Sequence, residues 1–200
     1  MATGRDAAFG FAVYDELIRA NLYAVPTAPT INIMHNDIVL HGGAHLATAK
    51  GGGLPIIEDG SVPDGDPSAV GSVIAIFDEN MDPLLYIAPA RVGDGTVAGY
   101  VMVADAPEQL FVAQEDSDGN AIEASEGGQN ANIISGTLCA GNTTTGISLQ
   151  EIDSDTAATD AALNVKLVRP HPLDTIAEDF CRYIVQINEH YYGPNTVAGL

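Results

Sequence analysis

Tryptophan is absent from this chain, cysteine occurs twice, and lysine and arginine number only 7 against 27 aspartates and glutamates. Each shortage removes a class of function. A formal charge of −20 and an isoelectric point near 4.1 leave little room for a surface built to hold nucleic acid, because phosphate binding needs clustered lysine and arginine. An anionic membrane surface would repel it equally. Cys139 and Cys181 lie in separate apolar runs without the CxxC spacing of a metal or redox site, so two buried free thiols are expected, with a disulfide between them left open. No apolar run is long enough to span a bilayer. The opening Met1-Ala2-Thr3-Gly4-Arg5-Asp6 lacks the basic start and apolar run of a secretory leader, and the protein is expected to be made in a cytoplasm and stay soluble.

What is present is an apolar content of 46% and a mean hydropathy of +0.11 over 200 residues, enough for a real core in one domain, or one domain plus an arm. The acidic surface serves solubility or complements a basic partner. The organising stretch is 99–120, GYVMVADAPEQLFVAQEDSDGN. Two β-prone runs, 100–103 and 110–113, flank the breaker Asp105-Ala106-Pro107-Glu108, and the second leads into Asp118-Gly119-Asn120, strong turn chemistry. Strand, corner, strand, acidic turn is the reading.

The rest of the chain repeats that grammar. Short strands are predicted at 31–34 and 37–40, paired around His35-Asn36, then at 54–57, 71–77, within 81–90, at 132–134, 164–169 and 180–191. The run VIAIF is long and β-branched enough for a strand buried on both faces. Segments 61–68, 141–146 and 154–160 read as loops or turns, and 121–128 as one helical turn. In 7–23, Phe11, Tyr14, Leu17, Ile18 and Leu22 fall near helical spacing, and Pro26 and Pro29 would end such a helix. Many short strands split by glycine, proline and aspartate predict a mainly β fold, a sandwich or barrel.

Each reactive-looking pattern in the chain has a plainer reading. Asp116-Ser117-Asp118-Gly119-Asn120 superficially matches a calcium loop, but the sixth and twelfth places hold Ala121 and Gly127 instead of glycine and glutamate, and a hairpin turn accounts for it better. His41 and His45 in HGGAH suit zinc only on a helix, which Gly42-Gly43 disfavour, so they read as loop histidines. His190 reads as a histidine hydrogen-bonded at a strand end. Lys50 precedes its glycines, unlike a phosphate loop, and 146–150 misses the last glycine of a nucleophile elbow. Glu115 and Asp116 point to opposite faces of a strand, so they form no dyad. No constellation fulfils the roles of an active site, and no metal, cofactor or catalysis is expected.

Three groups of residues carry a family resemblance. They are Asp105, Pro107, Glu108, Gln109, Phe111, Gln114, Glu115 and Asp116; then Gly128, Asn130 and Ala131; then Val185, Ile187, Asn188 and His190. Over residues 23–192 their order and spacing resemble the structural cement, or capsid decoration, proteins of tailed bacteriophages. Thr145-Gly146-x-Ser148 with Asp153 matches a further element of that family, whereas Asp174-Thr175 departs from its Asp-Asn pair.

The resemblance implies a jelly-roll-like domain over 31–200, preceded by an N-terminal arm over 1–30 that is extended where the spacing alone allows a partial helix. It implies a virion protein on the outer surface of a phage head, bridging subunits of the major capsid protein and self-associating as a dimer or trimer. Contact with the shell or a second copy is expected from Phe11, Tyr14, Arg19 and Tyr23, from acidic Glu115, Asp116 and Asp118, and from Tyr191 and Tyr192. A carbohydrate-binding module of head-fibre or receptor type is the alternative, resting on Tyr191-Tyr192 as a stacking platform.

Overall fold

The computed structural model describes residues 6–46, 53–58, 68–118, 120–134 and 140–193. Among the described residues, eleven strands and one 3₁₀ turn form a mainly β fold of two sheets. The chain enters the first sheet with β1 (Ala12–Val13) and passes into a closed barrel with β2 (Ala20–Pro26). The barrel continues through β3 (Ile38–His45), β4 (Pro55–Glu58), β5 (Ala69–Phe77) and β6 (Val97–Ala104), in spatial order β2-β4-β3-β5-β6. The chain then returns to the first sheet for β7 (Leu110–Gln114), β8 (Asn130–Ile134), β9 (Glu151–Ala158), β10 (Val165–Pro170) and β11 (Arg182–Ile187), ordered β1-β7-β11-β10-β8-β9. Every ladder is antiparallel except β2 with β4. Among the described residues no helix is long and apolar enough to cross a membrane.

Alternation places the apolar residues. Tyr23 and Val25, Val73, and Val101 and Val103 fill the barrel, as period-two strands facing a closed interior must. Phe11, Phe111, Ala113, Val165, Leu167, Tyr183 and Val185 form the second core, which Ile38, Leu40, Ala69 and Ala104 of the barrel strands share. The two sheets therefore bury one another. β5, expected as a doubly buried strand, has one face in each core at its start and is buried from Ala69 through Val73.

The stretch 99–120 makes the crossing between sheets. β6 ends the barrel, the corner at Asp105 turns the chain, and β7 starts in the other sheet, so the two strands do not pair with each other. The acidic turn after β7 closes no hairpin either, because β7 lies between β1 and β11. Residues 7–23, for which the spacing allows a partial helix and the resemblance implies an extended segment, hold no helix. Phe11 is wholly buried, Ala12 pairs with Val112, and Asp15 turns the chain at φ 65°, breaking the helical spacing. Residues 6–30 are woven into both sheets, not held out as a separate arm.

Other departures have local causes. Residues 31–34 and 37–40 do not pair around His35-Asn36; Ile33 and Ile87 exchange backbone hydrogen bonds of 3.0 Å instead. Among the described residues, that bridge and one between Phe77 and Pro83 are the strand pairing that 81–90 acquires, and Pro83 and Pro89 lack a donor for more. HGGAH is no loop. It ends β3, where a register shift between His41 and His45 accommodates Gly43 at φ 67°. Segment 154–160 is mostly strand, and its turn-like composition reflects a bulge: Asn132 faces Asp153 but Asn130 faces Ala158. The last strand stops at Ile187, short of Tyr191. The helical turn in 121–128 is a 3₁₀ turn at Ala124–Glu126. Cys181 is a buried free thiol; Cys139 and most of the 61–68 loop lie outside the described residues.

Candidate interaction surface

The corner at Asp105 is built around a buried carboxylate. Asp105 is 1% exposed and accepts hydrogen bonds from Arg19 Nε at 2.8 Å, Asn21 Nδ2 at 2.8 Å and the Tyr23 hydroxyl at 2.6 Å. Arg19 also donates to the Asp105 carbonyl. Burial raises the Asp105 carboxyl, but the donors Tyr23, Asn21 and Arg19 outweigh it and hold the group below the ordinary carboxylate range. Gln109 accepts from the Ile18 N–H at 2.9 Å and donates to the Glu16 carbonyl at 3.1 Å, and Gln114 accepts from the Ala7 N–H at 3.2 Å. The polar residues of the resembling segment thus brace the N-terminal segment from inside. Asn188 braces the closing strand similarly, donating to the Ala161 and Leu163 carbonyls at 3.0 Å each.

An aromatic platform stands on this corner. Tyr191 and Tyr192 are each 44% exposed, with ring centroids 4.9 Å apart and planes at 84°. Neither ring is loose. Tyr191 stacks on His41 at 3.9 Å and 3°, and its N–H donates to the Ala69 carbonyl at 2.7 Å. The Tyr192 hydroxyl lies 3.3 Å from that of Tyr23, its N–H donates to His190 Nδ1 at 3.0 Å, and the Arg19 guanidinium sits 5.8 Å from its ring centroid. Among the described residues these are the only exposed tyrosine or phenylalanine side chains. His45 lies edge-on to His41 at 6.2 Å. Burial, then His45, lowers His41 against the pull of Glu58, so the platform's histidine is neutral near pH 7. Next to it opens a cleft of about 270 Å³ lined by Pro107, Glu108, Lys166, Gln186, Asn188 and His190.

The nine contact residues expected from sequence therefore divide. Arg19, Tyr191 and Tyr192 come together on the platform, with Tyr23 beneath them. Phe11, Tyr23 and Glu115 are interior and offer no contact surface, because the first two fill the cores and Glu115 is wholly buried. Tyr14 belongs elsewhere, edge-on to His171 at 6.2 Å and near Arg169. Asp116 and Asp118 face β9, where Ser154 donates to Asp116. Sequence reading missed His41, read as a loop residue; no local signal pairs it with Tyr191, because the stack forms across the fold. Among the described residues no cluster of histidine, cysteine and acids is arranged to hold a metal ion. Compared with models of known protein families and with curated proteins, the chain matches none.

Proposed function

We propose that this protein is a capsid decoration protein, which binds the outer face of a tailed-phage head and reinforces contacts between major capsid protein subunits. One observation carries the reading. Asp105, Gln109, Gln114 and Glu115, which give the resembling segment its unusual polar spelling, are all buried braces of the fold. The resemblance therefore lies in residues that specify an architecture, where shared spelling is hardest to meet by accident. The platform supplies a contact surface of the right kind: fixed tyrosines beside an arginine are the composition of interface hot spots. A protein that binds the assembled shell better than free subunits stabilises the shell by mass action. Co-sedimentation of the purified chain with expanded empty heads tests the proposal.

A second reading, a carbohydrate-binding module of head-fibre or receptor type, draws on the same tyrosines. Two exposed rings at right angles, already locked, lose little side-chain freedom on stacking against a sugar. Titration with neutral oligosaccharides, followed through the tyrosine ring resonances, separates the two: shifts confined to Tyr191 and Tyr192 favour the sugar reading.

A further inference from the structure

We propose that the join between β7 and β9 is a proton-operated clasp: as the carboxylates crowding it take up protons the six-stranded sheet closes on itself, and as they lose them β9 loosens. Among the described strands β9 is the outermost of its sheet and is laddered to β8 alone. Toward β7 it has the parallel bridge of Glu115 with Ile152, where the Asp116 N–H donates to the Ile152 carbonyl at 3.0 Å. Side chains supply the rest of the join. The Ser154 N–H and hydroxyl donate to Asp116 Oδ1 at 3.1 and 2.9 Å, and Gln114 Nε2 donates to Glu151 Oε1 at 3.1 Å. On its other side β9 is weakened by the bulge between Asp153 and Ala158.

Acids face this join from each element packed against it. Asp6 comes from the N-terminal segment, Glu115, Asp116 and Asp118 from β7 and its continuation, Glu151, Asp153 and Asp155 from β9, and Asp179 from the approach to β11. Cys181 and Tyr183 are neutral neighbours, and the nearby Arg182 is engaged by Asp174 at 2.8 and 2.7 Å. The groups acting most strongly on Glu115, Glu151 and Asp153 include no described lysine, arginine or histidine.

Glu115 is the centre of the join. Its wholly buried carboxyl accepts from the Ile122 N–H at 2.8 Å and the Cys181 N–H at 3.4 Å, tying the loop before the 3₁₀ turn and the start of β11 to the end of β7. Burial above all pushes Glu115 and Glu151 up from 4.5 to about 7, and burial followed by Asp116 raises Asp153. A carboxyl that binds its proton more tightly in the closed form favours closure as pH falls, and that preference is lost as pH rises through the folded value.

Amide hydrogen exchange on the whole chain, corrected for the intrinsic pH dependence of exchange, tests the clasp. Between about pH 5.5 and pH 8, exchange in β9 is expected to accelerate at least about tenfold relative to β5 and β6, tenfold being one unit of pKa difference between open and closed forms. The half-buried pair Glu151→Gln with Asp153→Asn, which leaves Glu115 in place, should reduce that dependence without abolishing it. A β9 that follows β5 and β6 at every pH, or a variant with the original slope, overturns the proposal.

Discussion

Arg19 donates to the carboxylate of Asp105 at 2.8 Å across 86 residues of sequence, with the arginine side chain 46% exposed and the aspartate 1% exposed. The pair is lopsided, and its two halves carry different weight. Removing the exposed cation leaves Asp105 with Asn21 and Tyr23, whereas removing the carboxylate strands the buried Tyr23 hydroxyl. Asp105→Ala is therefore expected to destabilise the fold by about 2–4 kcal/mol. Arg19→Ala should lose no more than about 1 kcal/mol, screened as exposed pairs are. Urea unfolding of both variants measures the difference.

The shared core sets a second contrast. Phe111 is wholly buried on β7 between the sheets, and Phe111→Ala should destabilise by about 3–5 kcal/mol through lost burial and a cavity. Leu173 is 82% exposed, and Leu173→Ser should stay within about 0.5 kcal/mol of the parent. Equal effects in thermal unfolding would refute this placement of the core.

Stability should peak in mild acid. Asp37, Glu115 and Glu151 are each raised by burial to about 7, so their contribution is full below the unfolded carboxylate values and disappears as pH rises through 7. His190 opposes them: burial lowers it to about 4, and the stability it confers above 6.5 is lost as pH falls toward 4. Three raised acids outweigh one histidine, and protonation also relieves the self-repulsion of a chain at −20. Asp105 and Asp174, both lowered, withdraw their support only in stronger acid. The midpoint of thermal unfolding should be higher near pH 5.5 than near pH 8; the reverse order contradicts these assignments.

Much of this architecture is legible in the sequence. β5, β6, β7, β8 and β10 fall where β-branched and aromatic runs end at glycine, proline or aspartate, because burial on a pleated surface selects those residues. What could not be read depends on distant partners. The spacing of Phe11 to Leu22 looks helical in isolation, yet Phe11 is drawn into the core and Leu17 and Ile18 are left exposed. β9 reads as a turn because its bulge interrupts the alternation that identifies strands. The platform was half legible: adjacent tyrosines invite attention, but nothing near them in sequence names His41 or Arg19 as their support.

If the platform is the contact with the shell, its tyrosines carry more than their area. Tyr191→Ala and Tyr192→Ala should each weaken binding to heads by tenfold or more, about 1.4 kcal/mol or above, as truncation of a central anchor does. Both variants should still fold, since each ring is nearly half exposed. Binding curves on heads with circular dichroism as the folding control check this, and unaltered affinity in both variants removes the platform from the interface.

The most direct test of the central claim is the melting of expanded empty heads with and without the purified protein. Decoration predicts saturable binding and a melting temperature for the shell that rises with occupancy. Heads that neither bind the protein nor melt higher in its presence contradict the assignment.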